Sequence, residues 1–401
     1  MVPRPAGRTD VNRSAILAHL GAHGPASRAD LARALEVSPA LITQLTKDLL
    51  SEGLIEERDE QRSGGGRPAR LLGLVVSAGR AIGVKLAPDH LSFVEVGLDG
   101  RILRSGSEPF DAMQTTVLAN LVDALKRIIA AGDGSPLLGL GIGVPGSVDQ
   151  QDQGVVDSVP LQWQSVPMGQ TLTRELGLPV IVENNVNALA AAELLYGLGR
   201  GHSDFVIVTI GTGVGSAIVE DGIVVRGSNG GAGELGHVPA VLLTEGERPQ
   251  VGALEALIAE DALLARAKER GIVSEHAGFS GLVAAATAGD EAASRIFTEA
   301  GHLLGQTLAG VVHLLDPELI ILSGEGTADW PLWETGFETG FRSALLPLRR
   351  GIPVYVERWQ DEGWARGAAA LVLATPYDVA GHSGKLGERV RARLQRSTSP
   401  A

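Results

Sequence analysis

Residues 182–193, VENNVNALAAAE, place three side-chain amides where an apolar strand passes into an alanine-rich segment with helical propensity. Asn184, Asn185 and Asn187 follow Glu183 at this junction. Side-chain amides both donate and accept hydrogen bonds, so they are suited to holding the hydroxyl groups of a ligand. An amide does not take up a proton at neutral pH, whereas a carboxylate in the same place could act as a general base. The segment therefore predicts ligand binding without base catalysis at these amides.

Two turns of the chain are candidates to face the phosphates of a nucleotide, but only one has a suitable composition. TIGTGVGS at 209–216 offers glycine N–H groups that can approach an oxyanion closely, although a plain glycine hairpin would have the same sequence. The loop residues in question are Gly211, Thr212, Gly213 and Gly215. VKLAPD at 84–89 provides neither a metal-binding carboxylate nor a small hydroxyl at its centre, and its proline lacks an N–H donor. One of the two turns expected to bind phosphate therefore lacks the groups that it would need.

The elements that would position these residues form a repeated pattern. Residues 81–103 and 205–227 each consist of an apolar strand, a turn, a second strand and an Asp-Gly turn into a third strand. Between them, a helical stretch around 115–131 and strands at 138–146 and 179–184 complete the first half. Two such halves predict an α/β nucleotide-binding fold of two lobes with a cleft between them.

The first seventy residues predict a separate DNA-binding head. Three short blocks of apolar residues have helical spacing, and Ser27 with Asp30 and Ser38 with Pro39 are typical helix starts. The two strands that follow, joined by a glycine-rich loop, add a wing. The residues predicted to contact DNA are Ser38, Ala40, Thr43, Gln44 and Lys47 around the third helix and Arg67 at the wing tip. The alternative is that these are solvated faces of a small three-helix domain.

Composition limits the other possibilities. The chain has 401 residues and a net charge of −13, yet residues 1–70 contain 10 Lys+Arg and 9 Asp+Glu, so the excess of acid lies outside the head. There is no cysteine, which excludes disulfides, thiolate metal sites and cysteine nucleophiles. No apolar run is long enough for a membrane span and the first residues lack a signal peptide core. We therefore expect a cytoplasmic protein without membrane contact.

Taken together, these segments resemble the ROK family of repressors and sugar kinases, which belong to the actin-like ATPase superfamily. The resemblance covers nearly the whole chain and rests on GRPA in the wing, GIGVPGSVD at 141–149, VENNVNALAAAE, GTGVGS, GGAGELGH at 230–237, GALEAL at 252–257, LDPELIILSGEG at 315–326 and GAAALVLAT at 367–375. It implies an N-terminal winged helix-turn-helix followed by a two-lobed actin-like (ribonuclease H-like) fold. The expected domains are a head at 1–75, a first lobe at 76–185, a second lobe at 186–376 whose final helix returns to the first, and a flexible basic tail at 377–401.

The resemblance also implies which residues hold a sugar in the cleft. In family members the sugar hydroxyls are bound by residues that correspond here to Asn184, Glu234, His237 and Glu255, and Asn185 stands beside the first of them. Carboxylates accept from neighbouring hydroxyls and amides both donate and accept, so this set suits a pyranose.

Three departures from the family pattern bear on the function. The kinases of the family have an Asp base where this chain has Asn185, and the first phosphate turn has lost its polar residues. The family's zinc uses the histidine that corresponds to His237 and three cysteines, none of which is present here, so we expect no metal or other cofactor. This loss leaves the order of the 240–252 loop and the placement of Glu255 as open questions.

The expected function is a sugar-responsive transcriptional regulator, most simply a repressor, whose partners are operator DNA, a small sugar and further copies of the chain in a dimer or tetramer. One alternative is an ATP-dependent sugar kinase with a fused DNA-binding head, which would need Glu183 or Asp149 as base and Asp89 as metal ligand. Another is a regulator controlled by a phosphotransfer protein or another protein partner. Xylose, glucose, N-acetylglucosamine and a disaccharide all fit the sequence.

Overall fold

The computed structural model of the chain describes residues 8–61, 69–149, 153–239, 253–360, 362–375 and 384–397. Contacts divide the chain into two units: Met1–Gly201 with Glu362–Ala401, and His202–Asp361. The sequence placed the lobe boundary after residue 185, but the helix that follows belongs to the first unit because it packs against the returning helix of that unit.

The amino-terminal elements form a winged helix-turn-helix, which confirms the prediction for this region. They are α1 (Arg8–His23), β1 (Ala26–Ser27), α2 (Arg28–Ala34), α3 (Pro39–Ser51), β2 (Ile55–Gln61) and β3 (Ala69–Leu74). Ser27 and Asp30 form a reciprocal capping box at the start of α2, and Ser38 caps α3 with proline in its first turn. The strands pair in the order β1-β3-β2. Both helices of the helix-turn-helix therefore begin where the capping residues predicted.

A five-stranded sheet forms the centre of the rest of the first unit, in the order β11-β7-β4-β5-β6. The elements are β4 (Arg80–Leu86), β5 (His90–Gly97), β6 (Ile102–Pro109), α4 (Val117–Ala130), β7 (Leu137–Val144), β8 (Ser147–Asp149), β9 (Val155–Ser158), β10 (Trp163–Pro167), α5 (Met168–Leu176), β11 (Val180–Asn184) and α6 (Asn185–Tyr196). β4, β5 and β6 are antiparallel, whereas β7 and β11 join in parallel. The parallel strands bring the ends of β7 and β11 to one edge, where α6 begins.

The second unit repeats this meander. Its elements are β12 (Phe205–Ile210), β13 (Val214–Glu220), β14 (Ile223–Val225), α7 (Glu255–Ile258), α8 (Glu260–Glu269), α9 (Phe279–Thr287), α10 (Glu291–Leu315), β15 (Leu319–Ser323), α11 (Trp330–Ala344) and β16 (Val354–Val356). The sheet order is β14-β13-β12-β15-β16. Asp221 and Gly222 have φ of 51° and 72°, the left-handed pair that a two-residue hairpin requires. The predicted second meander is confirmed.

Helix α12 (Gly363–Ala374) returns to the first unit and lies directly on its sheet. A Cβ atom at Gly83 would lie 1.9 Å from the carbonyl oxygen of Ala365, and one at Gly141 would lie 1.7 Å from that of Ala368. The strands carry glycine at these points because the helix backbone occupies the space that a side chain would need. This close approach fixes α12, and the face of α6 that packs on it, relative to the sheet.

The carboxyl-terminal segment differs from the expected flexible tail. Residues Gly384–Ser397 form helix α13, and Leu386, Val390 and Leu394 are buried in the core of the first unit. These residues recur every four positions, which gives the helix one apolar face in spite of its many arginines. The prediction of a flexible basic tail is therefore wrong for 384–397; the rest of the predicted tail lies outside the described residues.

Replacing Leu386 with alanine is expected to lower the free energy of unfolding by about 2–5 kcal/mol, because the substitution leaves a cavity beneath α13. Chemical denaturation followed by circular dichroism measures this. Arg389→Ala, at an exposed position of the same helix, serves as the control and should change stability by less than about 0.5 kcal/mol. Equal stability of the two variants would show that α13 does not contribute to the core.

One hydrophobic core joins the head to the lobe within the first unit. It contains Ile16 and Leu20 of α1, Ala191 and Leu195 of α6, and the apolar face of α13. Helices α1 and α6 are in direct contact. The head is therefore packed on the helix that begins at the amide cluster, so a change at one end of α6 has a direct physical path to the head.

Candidate functional site

Helix α3 presents the predicted DNA-contacting residues on one face. Ile42, Leu45 and Leu49 are buried, and the opposite face exposes Ala40, Thr43, Gln44 and Lys47. Positions 40, 43, 44 and 47 follow helical spacing, so these side chains form one stripe. The structure therefore brings together four of the predicted residues on the helix that a helix-turn-helix uses to read DNA.

Of the two remaining residues predicted to contact DNA, the structure describes Ser38 but not Arg67. Ser38 is exposed, and its hydroxyl caps α3 by accepting a hydrogen bond from the N–H of Leu41 at 3.4 Å. Its first role is thus to start the helix. Arg67 lies outside the described residues, so its contact with DNA stays a prediction.

Asn184 links the end of β11 to the start of α6. Its Oδ1 accepts hydrogen bonds from the N–H groups of Val186 at 2.8 Å and Asn187 at 3.3 Å, and its Nδ2 donates to the carbonyl oxygen of Gly146 at 2.9 Å. Both acceptor positions of the amide oxygen are therefore used by the helix cap. What Asn184 can still offer a ligand is its second amide N–H.

The neighbouring amides are buried and retain capacity for hydrogen bonding. The side-chain oxygens of Asn185 and Asn187 are buried, with no hydrogen-bond partner in the described part of the chain. An unsatisfied buried acceptor costs about 1–3 kcal/mol, so such atoms are expected to meet a donor from a ligand or from water. Asn187, which the sequence marks as one of three ligand-binding amides but which the family resemblance does not count among the sugar ligands, therefore joins the candidate site.

Glu183 is the carboxylate nearest to these amides, and its hydrogen bonds organise them. It is 1% exposed, and its Oε1 accepts from the N–H of Asn184 at 2.8 Å and from Nδ2 of Asn187 at 3.2 Å. Both hydrogen bonds are made to this one oxygen, which holds the carboxylate in a fixed orientation. Glu183 is thus suited to orienting the amides and poorly suited to the role of base that the kinase alternative would give it.

In the second unit, Glu234 and His237 flank a buried turn. Leu235 and Gly236 between them are buried, whereas the side chains of Glu234 and His237 are 49% and 64% exposed. Oε2 of Glu234 lies 3.9 Å from Nε2 of His237. The turn is held close to β13, since a Cβ atom on Gly233 would lie 2.2 Å from the carbonyl oxygen of Ser216. The motif therefore presents a carboxylate and an imidazole side by side to solvent.

Glu255 connects this motif to the glycine turn. It is the first residue of α7, and its Oε2 accepts a hydrogen bond from the N–H of Val214 at 2.8 Å. The same oxygen lies 3.3 Å from the position of a Cβ atom on Gly236. The structure thus places Glu255 beside both the 211–215 turn and the turn that carries Glu234 and His237. The predicted sugar ligands of the second unit are neighbours.

The turn proposed for phosphate, 211–213 with Gly215, is surrounded by carboxylates. Oε2 of Glu325 lies 3.0 Å from the Cβ position of Gly211, and Oε2 of Glu255 lies 3.1 Å from that of Gly213. Burial, followed by the neighbouring acids Glu325, Asp261 and Asp329, raises the pKa of Glu260, whose N–H donates to the carbonyl of Gly211. Negative charge here opposes a polyphosphate, and the N–H of Val214 already has its acceptor.

The first turn of the other meander is closed and apolar. Leu86 and Ala87 are buried, and the N–H of Ala87 donates to the carbonyl of His90. Lys85 lies with its Nζ 5.1 Å from the centre of the Trp364 ring. Asp89 is exposed and pairs with His90 at 2.8 Å, which lowers the pKa of its carboxyl through the hydrogen bond from the imidazole. Nothing at this turn replaces the metal-binding acid and hydroxyl that Mg·ATP needs.

The donor set does not fit the zinc ion of the family. No group of three or more His, Asp or Glu side chains that could hold a metal occurs within the described ranges. The chain has no cysteine, and a tetrahedral zinc site of the family type needs thiolates beside the histidine. Residues 240–252 lie outside the described residues, so the expectation of no metal stays a prediction. Separately, none of the helices described is long and apolar enough to cross a membrane.

Comparison with known proteins agrees with this architecture. The model of the ROK family matches residues 81–375, and that of the MarR family matches residues 7–64. The chain belongs to the ROK family. Its MarR-type winged-helix head places it among the DNA-binding transcriptional regulators of that family.

Curated relatives match along most of their length. The DNA-binding transcriptional dual regulator NagC of Escherichia coli K12 is 28% identical over 90% of this chain and 92% of its own. The xylose repressor of Caldicellulosiruptor bescii is 25% identical over 87% of this chain and 92% of its own. Both of these relatives are regulators by name.

Solved structures include both regulators and kinases. A ROK family transcriptional regulator described as a homolog of the E. coli MLC protein superposes with a TM-score of 0.81 and 26% identity, over 97% of this chain and 99% of its own. A ROK family glucokinase from Streptomyces griseus, in complex with glucose and AMPPNP, superposes with a TM-score of 0.63 and 28% identity, over 73% of this chain and 99% of its own. The regulator matches the head as well as the lobes, whereas the kinase leaves about a quarter of this chain uncovered.

Proposed function

We propose that the chain is a sugar-responsive repressor that binds a sugar without phosphorylating it. The sugar ligands are Asn184, Asn185, Glu234, His237 and Glu255, with Asn187 added from the structure. The observation that carries the proposal is the pair of buried amide oxygens at the start of α6, for which the described residues offer no hydrogen-bond partner. A sugar hydroxyl is the kind of donor that these oxygens require, and an amide there holds the hydroxyl without removing its proton.

The kinase alternative is disfavoured both by the lack of a suitable base for the sugar hydroxyl and by the surroundings of the turn that would bind the nucleotide phosphates. An amide at Asn185 gives up general-base assistance, which is worth on the order of 10²–10⁴ in rate. Glu183 is committed to two hydrogen bonds, and Asp149 is exposed at the end of β8. The phosphate turn is surrounded by acids, and Asp89 pairs with His90. These features support loss of transfer activity in this chain.

We expect the purified protein with Mg·ATP and a panel of hexoses, pentoses and amino sugars to turn over more slowly than about 0.1 s⁻¹, far below ordinary enzymes. Asn185→Asp should remain below the same rate, because a restored base does not repair the acidic phosphate turn. A coupled assay for ADP measures both proteins. Faster turnover by the unaltered chain would establish the kinase.

Helix α6 provides the route from the sugar to the DNA. Its first turn carries the amide cluster, and its last turns pack on α1 of the head through the shared core. In a dimer, two heads would contact the two halves of a palindromic operator. A sugar that prefers one position of α6 would shift the spacing of the heads, and a coupling of about 1–3 kcal/mol would change operator affinity by roughly 5–150-fold.

The proposal is tested by measuring operator binding by fluorescence anisotropy with and without each sugar of the panel. At least one sugar is expected to change the operator affinity by more than about fivefold. No response to any sugar, combined with a response to a phosphotransfer or other protein partner, would favour the alternative of a regulator without a small ligand. The panel includes xylose, glucose, N-acetylglucosamine and disaccharides, because all of them fit the sequence.

Replacing Arg67 with alanine is expected to weaken operator binding by about 5–30-fold, mainly at operators with A·T-rich flanks. An arginine at a wing tip gains most where the minor groove is narrow and its negative potential is high. Footprinting and anisotropy on operators with A·T-rich and G·C-rich flanks measure the effect. An unchanged footprint and affinity on both kinds of operator would show that Arg67 of the wing does not contact DNA.

A further inference from the structure

A cavity of about 300 Å³ lies in the first unit where the head meets the lobe. It is lined by the end of α1, by β2, by the end of β3, by the turn between β5 and β6, by the end of α6 and the residues after it, and by the start of α12. This volume lies at the lower end of the range of small-ligand pockets. Its lining is distinct from the amide cluster and from the residues of the second unit proposed to hold the sugar.

The lining is strongly cationic. Four arginines and one aspartate line the cavity, so their side chains carry a net charge of +3 in a chain whose net charge is −13. They are Arg58, Arg101, Arg200, Arg366 and Asp99. Like charges gathered in a concave site raise the local concentration of a ligand of opposite sign. The cavity therefore favours an anion.

Within the described residues, two of the four guanidinium groups pair with carboxylates and two do not. Arg58 pairs with Glu56 at 3.1 Å and donates to the carbonyl of Leu74, and Arg101 pairs with Asp99 at 3.3 Å. Among the described residues, neither Arg200 nor Arg366 has a carboxylate within pairing distance. Burial lowers the pKa of Arg200, as expected for a partly desolvated cation.

Tyr196 and Arg366 each contribute a buried hydrogen-bond donor near the cavity. The hydroxyl of Tyr196 and Nε of Arg366 are both buried and have no hydrogen-bond partner in the described part of the protein. The guanidinium carbon of Arg366 lies 5.5 Å from the centre of the Tyr196 ring. Burial raises the pKa of Tyr196, so its hydroxyl keeps its proton and acts as a donor at neutral pH. Buried donors of this kind are expected to meet acceptor atoms of a ligand or of water.

The backbone is adapted to hold the tyrosine at this point. Gly100 has a φ of 82°, and a Cβ atom on it would lie 2.7 Å from the Tyr196 ring. The turn between β5 and β6 therefore approaches the ring as only glycine permits. The donor is held in a fixed place by packing rather than by a hydrogen bond.

We propose that this cavity is a second ligand site, which binds a small phosphate ester with its phosphate group between Arg200 and Arg366 and the hydroxyl of Tyr196. A phosphate monoester carries close to two negative charges at neutral pH and several strong acceptor oxygens. It matches two unpaired guanidinium groups and one donor hydroxyl in both charge and number of acceptors. A monocarboxylate would leave one cation without a counterion. Because its walls come from both head and lobe, the occupied site would fix the head on the lobe.

The test uses the full-length protein in a buffer free of phosphate and sulfate. Calorimetric titration with glycerol 3-phosphate and with inorganic pyrophosphate is expected to show saturable binding of one ligand per chain. Arg200→Gln and Arg366→Gln should each weaken it by about tenfold or more, and Tyr196→Phe, which retains the ring, by about three- to tenfold. Arg174→Gln, an exposed arginine of α5, is the matched control and should leave the affinity unchanged.

Several outcomes would overturn the proposal. These are the absence of saturable binding by folded protein, equal weakening in Arg174→Gln, and affinity unaffected by Arg200→Gln and Arg366→Gln. Binding of malonate but neither phosphate probe would show that the site takes a carboxylate instead. Sugar binding by Arg366→Gln should be unaltered, so failure at this site leaves the proposed sugar site intact, and the reverse also holds. Operator affinity measured with and without glycerol 3-phosphate should differ by about fivefold or more if the site is regulatory.

Discussion

Replacing Glu234 with alanine is expected to abolish the sugar response while leaving operator affinity within about twofold of the original. A carboxylate that accepts from sugar hydroxyls contributes roughly 1.5–3 kcal/mol, so its loss weakens sugar binding by about 10–150-fold. The side chain is half exposed, and Glu234 lies far along the chain from the helix that is predicted to contact DNA. The fold and the head should therefore remain unchanged. Anisotropy of labelled operator during a sugar titration measures both quantities.

The matched control for this variant is Glu220→Ala. Glu220 is an exposed acid at the end of β13 in the same unit, and it is not among the proposed ligands. Its removal changes the net charge by the same amount and should leave the sugar response as it was. A Glu234→Ala protein that still responds to sugar would place the site elsewhere, and a loss of response in both variants would point to a general effect of charge.

Reversing the charge at Lys47 is expected to lower operator affinity by about 30–300-fold. Lys47 lies at the end of the exposed stripe of α3, where an ammonium group can contact a phosphate, and a glutamate there would be repelled by the DNA. The loss should exceed that of Lys47→Ala, whose effect is the removal of one phosphate contact. Affinity measured at two or more salt concentrations should show a smaller salt dependence for Lys47→Ala, by about one unit in the logarithmic slope.

Lys126→Glu provides the control. Lys126 is exposed on α4 of the same unit, and its replacement with glutamate changes the net charge by the same amount as Lys47→Glu. Its operator affinity should stay within about threefold. Sugar binding should be retained in both variants, since neither residue belongs to the proposed sugar site. If Lys47→Glu and Lys126→Glu weakened operator binding equally, the effect would come from the total charge and α3 would not be the recognition helix.

Local sequence signals predicted the fold where a structure depends on neighbouring residues. The caps of α2 and α3 follow from Ser27, Asp30, Ser38 and Pro39, because each cap is made by residues within three positions of one another. The second meander follows from an Asp-Gly pair that takes up left-handed backbone angles. These elements could be located before the structure was known.

Features that depend on distant residues were beyond the sequence. The burial of α13 requires an apolar surface supplied by the lobe, so a basic composition suggested a free tail instead. The boundary between the units lies later in the chain than predicted, because α6 packs on α12, which follows it by more than 160 residues. Composition alone contains neither of these contacts.

For the candidate site, the ligand residues stay a prediction from the sequence, and the structure adds the hydrogen-bond partners of these residues. The sequence identified Asn184 as a ligand residue, but the structure shows that its amide oxygen caps α6 twice. The commitment of Glu183 to the amides and of Glu255 to the N–H of Val214 depends on side-chain directions that spacing does not determine. The proposal that the chain does not phosphorylate its sugar therefore rests on more than the presence of an amide at Asn185.

Calorimetric titration of the full-length protein with the sugar panel in the presence of Mg·ATP tests the central claim most directly, because it distinguishes binding from turnover in one experiment. We expect at least one sugar to give a saturable heat that returns to baseline after each injection. A continuing heat after each injection, with a phosphorylated sugar in the cell, would contradict it by revealing catalysis. The absence of heat for every sugar, with folded protein that still binds its operator, would contradict it by removing the ligand.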